Sequence, residues 1–511
     1  MSSLTRNKNC WLVIKSTTIY FQTIINLGDN AMNELCDHTA IDLRRLIGSK
    51  EISPVEVVES FIDRIEAVDG VVNALVTRSY ERARNEAKLA EQAVLDGDEL
   101  GLLHGLPIGV KDLESTAGIR TTFGSLTFED NVPEKDQLSV ANIRDEGGII
   151  LGKTNTPEFG AGANTKNRVF GATGNPFNPN LSCAGSSGGS AVALACSMVA
   201  LATGSDFGGS LRTPAGFCGV VGHRPSPGVV PSEGRPVALS PLSVLGPMGR
   251  TVADAALLLS AQTDSNIHDP FSIAIDPGLL DPLGHIDLSS LKIAISPDLG
   301  CAPVDNDIRR IFIEKTNIFR HVFNDADDRN PDLSNVHEVF EILRGVNFTA
   351  AHHERLKYQR ELLGPNIIEN VTRALDYSLA DVAWAHAEQS KLYHQFINFF
   401  DDVDILICPT SAVSPYPHEQ LTVTEINGEE MPTYMRWLAL SYSLTMVLPV
   451  SCSLPIGLDH KGMPFGIQIV GPNGSDRFVL QVAHALEGYL ANNVDLARPV
   501  PDITSLSKMR K

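Results

Sequence analysis

What this chain of 511 residues lacks already narrows what it can be. It has no run of roughly 18 consecutive apolar residues, the least a membrane-spanning helix needs, so no membrane partner is expected. It has no surplus of positive charge. Against 41 Lys and Arg stand 61 Asp and Glu, for a formal net charge of −20. An acidic surface repels phosphate backbones, so no nucleic-acid partner is expected. Its eight cysteines form no C-x-x-C pair and no ladder of metal-ligand spacing, so no metal site is expected. That usage suits buried, reduced thiols in a cytoplasmic protein. What remains is 43% hydrophobic and 20% charged, the composition of a globular protein with ample length for a large core.

Met32 opens "MNELCDHTAIDLRRLIGSKEISPVEVVESFIDRIEAV", which has the texture of a domain start, so residues 32–511 are expected to form one domain. The semi-apolar stretch over residues 1–31 is expected to be a loosely ordered extension or the product of a mis-called start codon. A poor targeting segment is the alternative. Ser53-Pro54 followed by Glu56 opens a helix. "LPIGVKD", residues 106–112, is a short apolar run ending in charge, a buried strand that delivers Lys111 to its end. "GGIILGKTN", "DVDILICPT", "LPVSCSLPIGL" and "PFGIQIVGP" read as further strands, and residues 191–202, small and apolar all round, as a buried helix. Residues 225–250, rich in Pro, Gly and Ser, read as a long covering loop with short strands. Helices alternate with buried strands from one end to the other, so the class is α/β.

Two motifs match in letters and fail in context. "GGIILGKT", residues 147–154, fits the phosphate-binding pattern G-x-x-x-x-G-K-[ST]. Three of its four middle residues are Ile149, Ile150 and Leu151, the core of a strand, which cannot curl its amides around a phosphate. "GSSGG", residues 185–189, fits G-x-S-x-G around Ser187, but a nucleophile elbow needs a hydrophobic strand before it and "NPFNPNLSC" is a loop.

The stretch "AGSSGGSAVALACSMVALATGSDFGGS", Ala184 to Ser210, has a Ser-Gly cluster at each end and no histidine inside it. A serine hydroxyl needs a base to become nucleophilic at neutral pH. His223 is the one histidine close by, and a structural role competes with catalysis there. The other candidate is Lys111, since burial disfavours the ammonium and lowers a lysine pKa. An ordinary ion pair of Lys111 with Asp112 competes with that role.

At this point a resemblance settles on the residues. "LPIGVKD", "GIILGKTNTPEFG", "AGSSGGSAVALA", "GSDFGGSLRTPAGFCGVVGHRP" and "GPMGRTVADAALLL" resemble the amidase signature family of serine hydrolases, and "DILICPT" and "PFGIQIVGP" extend the likeness more weakly. The resemblance implies a single large domain with a central mixed β-sheet covered by helices. It implies a Ser–cis-Ser–Lys triad on Ser210, Ser186 and Lys111, with a cis peptide at Gly185-Ser186. Ser210 would be the acylated nucleophile, Ser186 the proton relay and Lys111 the neutral base. The backbone amides of Phe207, Gly208, Gly209 and Ser210 would form the oxyanion hole, with Ser187, Ser205, Asp206 and Arg212 holding the loops. The sequence departs from the family pattern at Ala184-Gly185, at bulky Phe207 and at "GHRPSPG".

The implied function is hydrolysis of a small-molecule carboxamide to an acid and ammonia or an amine, with no cofactor. The loop at 225–245 and "TYMRWLALSYSLTMV" are the expected acyl pocket, with Tyr434, Trp437 and Tyr442 as lining candidates against the alternative of plain core packing. A homodimer is left open. Two rivals remain: the glutaminase subunit of a tRNA-dependent amidotransferase, and a non-catalytic scaffold on the same fold. The first usually carries an Asp-Gln before the Gly-Pro that matches Gly246-Pro247, and here the sequence reads "SPLSVLGP".

Overall fold

The computed structural model describes residues 35–272 and 276–509. The expected extension over 1–31 lies outside the described residues. Eleven strands form one sheet: β1 (Leu75–Arg78), β2 (Pro107–Lys111), β3 (Ile149–Thr154), β4 (Leu201–Asp206), β5 (Val221–Arg224), β6 (Val244–Gly249), β7 (Lys292–Ile295), β8 (Asp325–Asp328), β9 (Ile405–Pro409), β10 (Val450–Leu458) and β11 (Pro464–Gly471). Their spatial order is β1-β3-β2-β4-β6-β5-β10-β11-β9-β7-β8. The sheet is mixed. β2 lies parallel to both β3 and β4, while β4–β6, β6–β5, β5–β10, β10–β11 and β11–β9 are antiparallel. β7 runs parallel to β9 and β8. Central strands are buried along their length, as for a sheet covered on both faces.

Local chemistry starts and stops the helices. Ser53 caps the helix Pro54–Val72 in a full capping box with Glu56, behind Pro54 in the first turn. Thr39 caps Ala40–Gly48 through Asp42 N–H. The helix expected over 191–202 is shorter and earlier. It is α1 (Gly188–Ala195), which ends at Cys196; Ser197 then takes a positive φ of 54° and the chain re-enters the sheet as β4. Small residues pack equally well in a buried helix and a buried strand, so periodicity alone does not separate the two. The helix α2 (Arg212–Cys218) follows the second Ser-Gly turn. Two longer helices, α3 (Val336–Tyr358) and α4 (Pro365–Ala374), pack on one another. The covering loop behaves as expected up to its end, where residues 244–249 become a full central strand paired with β4.

Candidate active site

β2 runs fully buried into the sheet and ends on Lys111, which has no exposed surface. Its ammonium nitrogen meets three hydroxyls: Ser186 Oγ at 2.7 Å, Ser187 Oγ at 2.8 Å and Ser205 Oγ at 2.9 Å. Burial pushes the Lys111 pKa down to about 7, against the opposing pull of Glu114 and Asp206. Asp112 does not pair with Lys111. Its carboxylate accepts from the Thr122 backbone N–H and hydroxyl.

Ser186 sits at the end of the first Ser-Gly turn, and the Gly185–Ser186 peptide is cis. Gly160, at φ 72°, lies over it. A Cβ there would come within 3.3 Å of Ser186 Oγ and 2.9 Å of Leu113, so the approach needs glycine. Ser210 is half-buried at the end of the second turn, and its carbonyl accepts the Ser187 N–H at 3.2 Å. The structure closes the Lys111–Ser186 contact and leaves Ser186 Oγ unbonded to Ser210 Oγ.

Asp206 organises the second turn. One carboxylate oxygen accepts Gly209 N–H at 3.0 Å and the other Leu211 N–H at 3.1 Å. Arg212 grips both oxygens, at 3.0 and 2.9 Å. Arg224 adds a second cation, donating to the Asp206 carbonyl at 2.6 Å and to its carboxylate at 3.2 Å. Burial opposes the charge on Asp206, but the two guanidiniums outweigh it and hold the carboxyl far below the usual carboxylate range. Arg224 was not among the expected site residues. Its signal was the departure "GHRP" from the family pattern. Gly209 N–H, one of the expected oxyanion-hole donors, donates to Asp206 in this geometry. The amides of Phe207, Gly208 and Ser210 find no acceptor among the described residues. Gly209 keeps a different duty. At φ 112°, a Cβ would lie 2.5 Å from Ser441, which only glycine avoids.

One wall beside the second turn comes from a helix that sequence reasoning passed over, whose Phe340 lies against Gly208. Phe340, Arg344, Phe348 and His352 recur every four residues along α3, one face of a helix. Phe340 stacks on Tyr442 with ring centroids 4.0 Å apart and lies 6.2 Å from the ring of Phe207. Arg344 lies over Phe207 at 5.7 Å and Phe348 at 4.1 Å, and donates to Tyr434 Oη at 2.7 Å and Asn370 Oδ1 at 3.0 Å. His352 packs at 4.7 Å on Phe159, the residue before Gly160. Burial and then Arg355 push the His352 pKa down to about 4. A cleft between α3 and α4 is lined by Phe340 and Arg344 of this stripe, by Tyr434 and Met435, and by the charged Glu341, Glu369 and Arg373.

Tyr434 lines this cleft, and Tyr442, as buried as Trp437, stacks on its lining residue Phe340. Trp437 does neither. It is fully buried, with its ring against Phe217 at 6.4 Å and Tyr416 at 5.7 Å, a core position. The 225–245 loop reaches the site through the Leu242 carbonyl, which accepts from Arg224 at 3.0 Å, and through Val244 and Leu245, paired with Asp206 and Ser205. His223 is buried on β5 with Nε2 3.5 Å from Asp476, and its ring bonds no serine. The phosphate-loop look-alike is indeed strand β3, with Lys153 Nζ on the Glu114 carbonyl and Thr116 Oγ1.

Two serine-bearing glycine turns closing over a buried strand-end lysine, on an eleven-stranded mixed sheet, define the class of amidase signature enzymes. The Amidase family model matches residues 56–480, and the chain belongs to that family. It is 31% identical over 451 residues to an acylamidase of Rhodococcus erythropolis, covering 88% of this chain and 94% of that protein. It is 30% identical over 481 residues to a glutamyl-tRNA(Gln) amidotransferase subunit of Geotalea daltonii, covering 89% and 97%. A solved bacterial aryl acylamidase of the same family superposes with a TM-score of 0.82 at 27% identity, over 93% of this chain and 98% of that one.

Proposed function

We propose that this protein hydrolyses a carboxamide to a carboxylic acid and ammonia or an amine, through an acyl-enzyme on Ser210. The observation that carries this is the fully buried Lys111 with its nitrogen 2.7 Å from Ser186 Oγ. A neutral lysine amine has two N–H donors and one lone pair, and three hydroxyls surround it. Ser187 Oγ also faces the Ser205 carbonyl, which can take its proton, and of the two hydroxyls left, Ser186 makes the shorter contact with the amine and lies in the first Ser-Gly turn. Ser210 Oγ gives its proton to Ser186 as Ser186 passes its own to Lys111, and attacks the amide carbon. The carbonyl oxygen becomes an anion facing the free amides of Phe207, Gly208 and Ser210. As the C–N bond breaks, the proton returns from Lys111 through Ser186 to the departing nitrogen. Water repeats the sequence on the acyl ester, releasing the acid and restoring Ser210. The Ser186–Ser210 contact is expected to tighten when substrate fills the site.

The acyl group sits against Phe207, Phe340, Tyr442 and Met435, which cluster around Gly208. Such a wall favours an apolar or aromatic acyl group, and likeness to an acylamidase and an aryl acylamidase supports an aryl amide as the first substrate. Every side chain invoked lies in one chain, so a homodimer is not required. The seven described cysteines are free thiols, which supports a cytoplasmic enzyme.

The test is amine and ammonia release by the purified chain on aryl, aliphatic and glutamine amides, beside Ser210→Ala. Turnover of simple amides that disappears in the variant supports a free-standing amidase. Turnover confined to glutamine, appearing only with partner subunits, would replace it with the amidotransferase reading.

A further inference from the structure

Beneath Lys111 lies a buried layer that the proton relay does not use. The Lys111 backbone N–H donates to Thr203 Oγ1 at 3.0 Å. That leaves the Thr203 hydroxyl proton for the Glu114 carboxylate, to which it is hydrogen-bonded. Ser139 Oγ donates to the other carboxylate oxygen at 2.7 Å. Both oxygens thus accept hydroxyl protons, and these bonds, with Lys153 and Lys111, favour the ionised carboxylate against the burial that raises the Glu114 pKa. Glu114 is fully buried, and no cation among the described residues makes an ion pair with it. Lys153, also fully buried, reaches only its backbone carbonyl and Thr116 Oγ1. An unpaired buried carboxylate is costly, and such a group persists where it serves a neighbouring charge.

The surrounding charges leave Glu114 as the anion available to Lys111. The carboxylates facing Lys111 are those of Glu114 and Asp206. Asp206 is already held by Arg212 and Arg224, two cations on one carboxylate. Glu114 faces Lys111 and Lys153. Lys153 in turn faces Asp112, Glu114, Asp136 and Arg144.

We propose that Glu114 is a positioning residue for Lys111: through Thr203 it anchors the end of β2, and its buried negative charge stabilises the ammonium formed when the Ser186 proton arrives. Glu114 itself neither gains nor loses a proton. This rests on the relay proposed above. It accounts for a fully buried glutamate two residues beyond Asp112 that touches neither substrate nor nucleophile.

The experiment follows the rate at which a fluorophosphonate labels Ser210 as a function of pH, in wild type, Glu114→Gln and Glu114→Asp. Labelling joins Ser210 Oγ to phosphorus, expels fluoride and sends the hydroxyl proton to Lys111, so it reads the relay without a known substrate. In Glu114→Gln the midpoint of the acid limb should fall by about one pH unit or more, because removing an anion makes the ammonium harder to hold. The plateau rate should fall with it. Glu114→Asp, which keeps the charge, should return the midpoint most of the way. A midpoint in Glu114→Gln equal to wild type, with a native circular-dichroism spectrum, overturns the proposal and leaves Glu114 as scaffold. If Glu114→Gln does not fold, Thr203→Val takes its place, with a smaller downward shift expected and an unmoved midpoint again overturning it. Should wild type itself fail to label, the Ser210 reading fails. A Lys111 titration by lysine ¹³Cε NMR, assigned with Lys111→Met, then decides Glu114 separately: a lower midpoint in Glu114→Gln supports it and an unchanged one overturns it.

Discussion

The floor and the wall of the cleft are assembled differently. The floor draws Lys111, Ser186, Ser187, Ser205 and Asp206 from three short segments, each pinned by hydrogen bonds to buried strands or turns. The wall draws Phe340, Arg344, Phe348 and His352 from one face of a single helix, held by ring packing. Hydrogen bonds among buried groups are directional and costly to leave unmade, so the floor admits few alternatives. Ring packing tolerates exchange of apolar side chains at similar volume. The floor is therefore where the chemistry is expected to be set, and the wall is where selectivity is expected to vary.

Substitutions in the floor should have the largest effects. Lys111→Ala, Ser186→Ala and Ser210→Ala should each lower kcat by about ten-thousand-fold or more, with non-additive double variants, because a relay fails as a unit. Steady-state kinetics on the aryl amide checks this. A loss below a hundredfold for Lys111→Ala would mean that another base serves Ser186. Next, Asp206→Ala leaves Arg212 and Arg224 buried without a counter-charge and should cost about 3–5 kcal/mol of stability, read by denaturant unfolding. An unchanged midpoint would show that the two arginines are satisfied elsewhere.

The floor should also set the pH dependence. With the Lys111 pKa near about 7, the neutral base fraction grows as pH rises through that value. Below it, kcat/KM on an uncharged amide should fall about tenfold per pH unit. A rate still climbing steeply beyond pH 9 would place the lysine at its ordinary value.

In the wall the effects should be smaller and selective. Phe340→Leu should reduce kcat/KM for an aryl amide by about tenfold and leave a short aliphatic amide almost unaffected. Equal losses on both would move Phe340 from the wall to the floor. Trp437→Phe supplies the smallest contrast. It should cost less than about 1.5 kcal/mol of stability and leave the aryl-to-aliphatic ratio unchanged, as for a core ring outside the cleft.

The two regions also differ in how far the amino-acid order reveals them. The floor is legible because its residues lie in short glycine- and serine-rich segments with a fixed local order. "LPIGVKD" ends a strand on its lysine, and the two Ser-Gly clusters flank α1 and β4. The wall is not legible in that way. Phe340, Arg344, Phe348 and His352 have helical spacing, but helical spacing marks any buried face. Trp437 and Tyr442 look equivalent in "TYMRWLALSYSLTMV", yet one ring packs on Phe217 and the other on Phe340. That choice depends on α3, which is distant in sequence.

By itself, then, the order of residues determined the α/β class, the strand that carries Lys111 and the serines that face it, since strand pattern and glycine turns act over a few neighbours. Tertiary structure alone decided that Gly209 N–H serves Asp206, that Arg224 is the second cation on that carboxylate, and that Glu114 lies buried behind Thr203. Each of these joins groups brought together by the sheet or the turn. Buried polar groups must find partners wherever the fold places them, and no local pattern states where that will be.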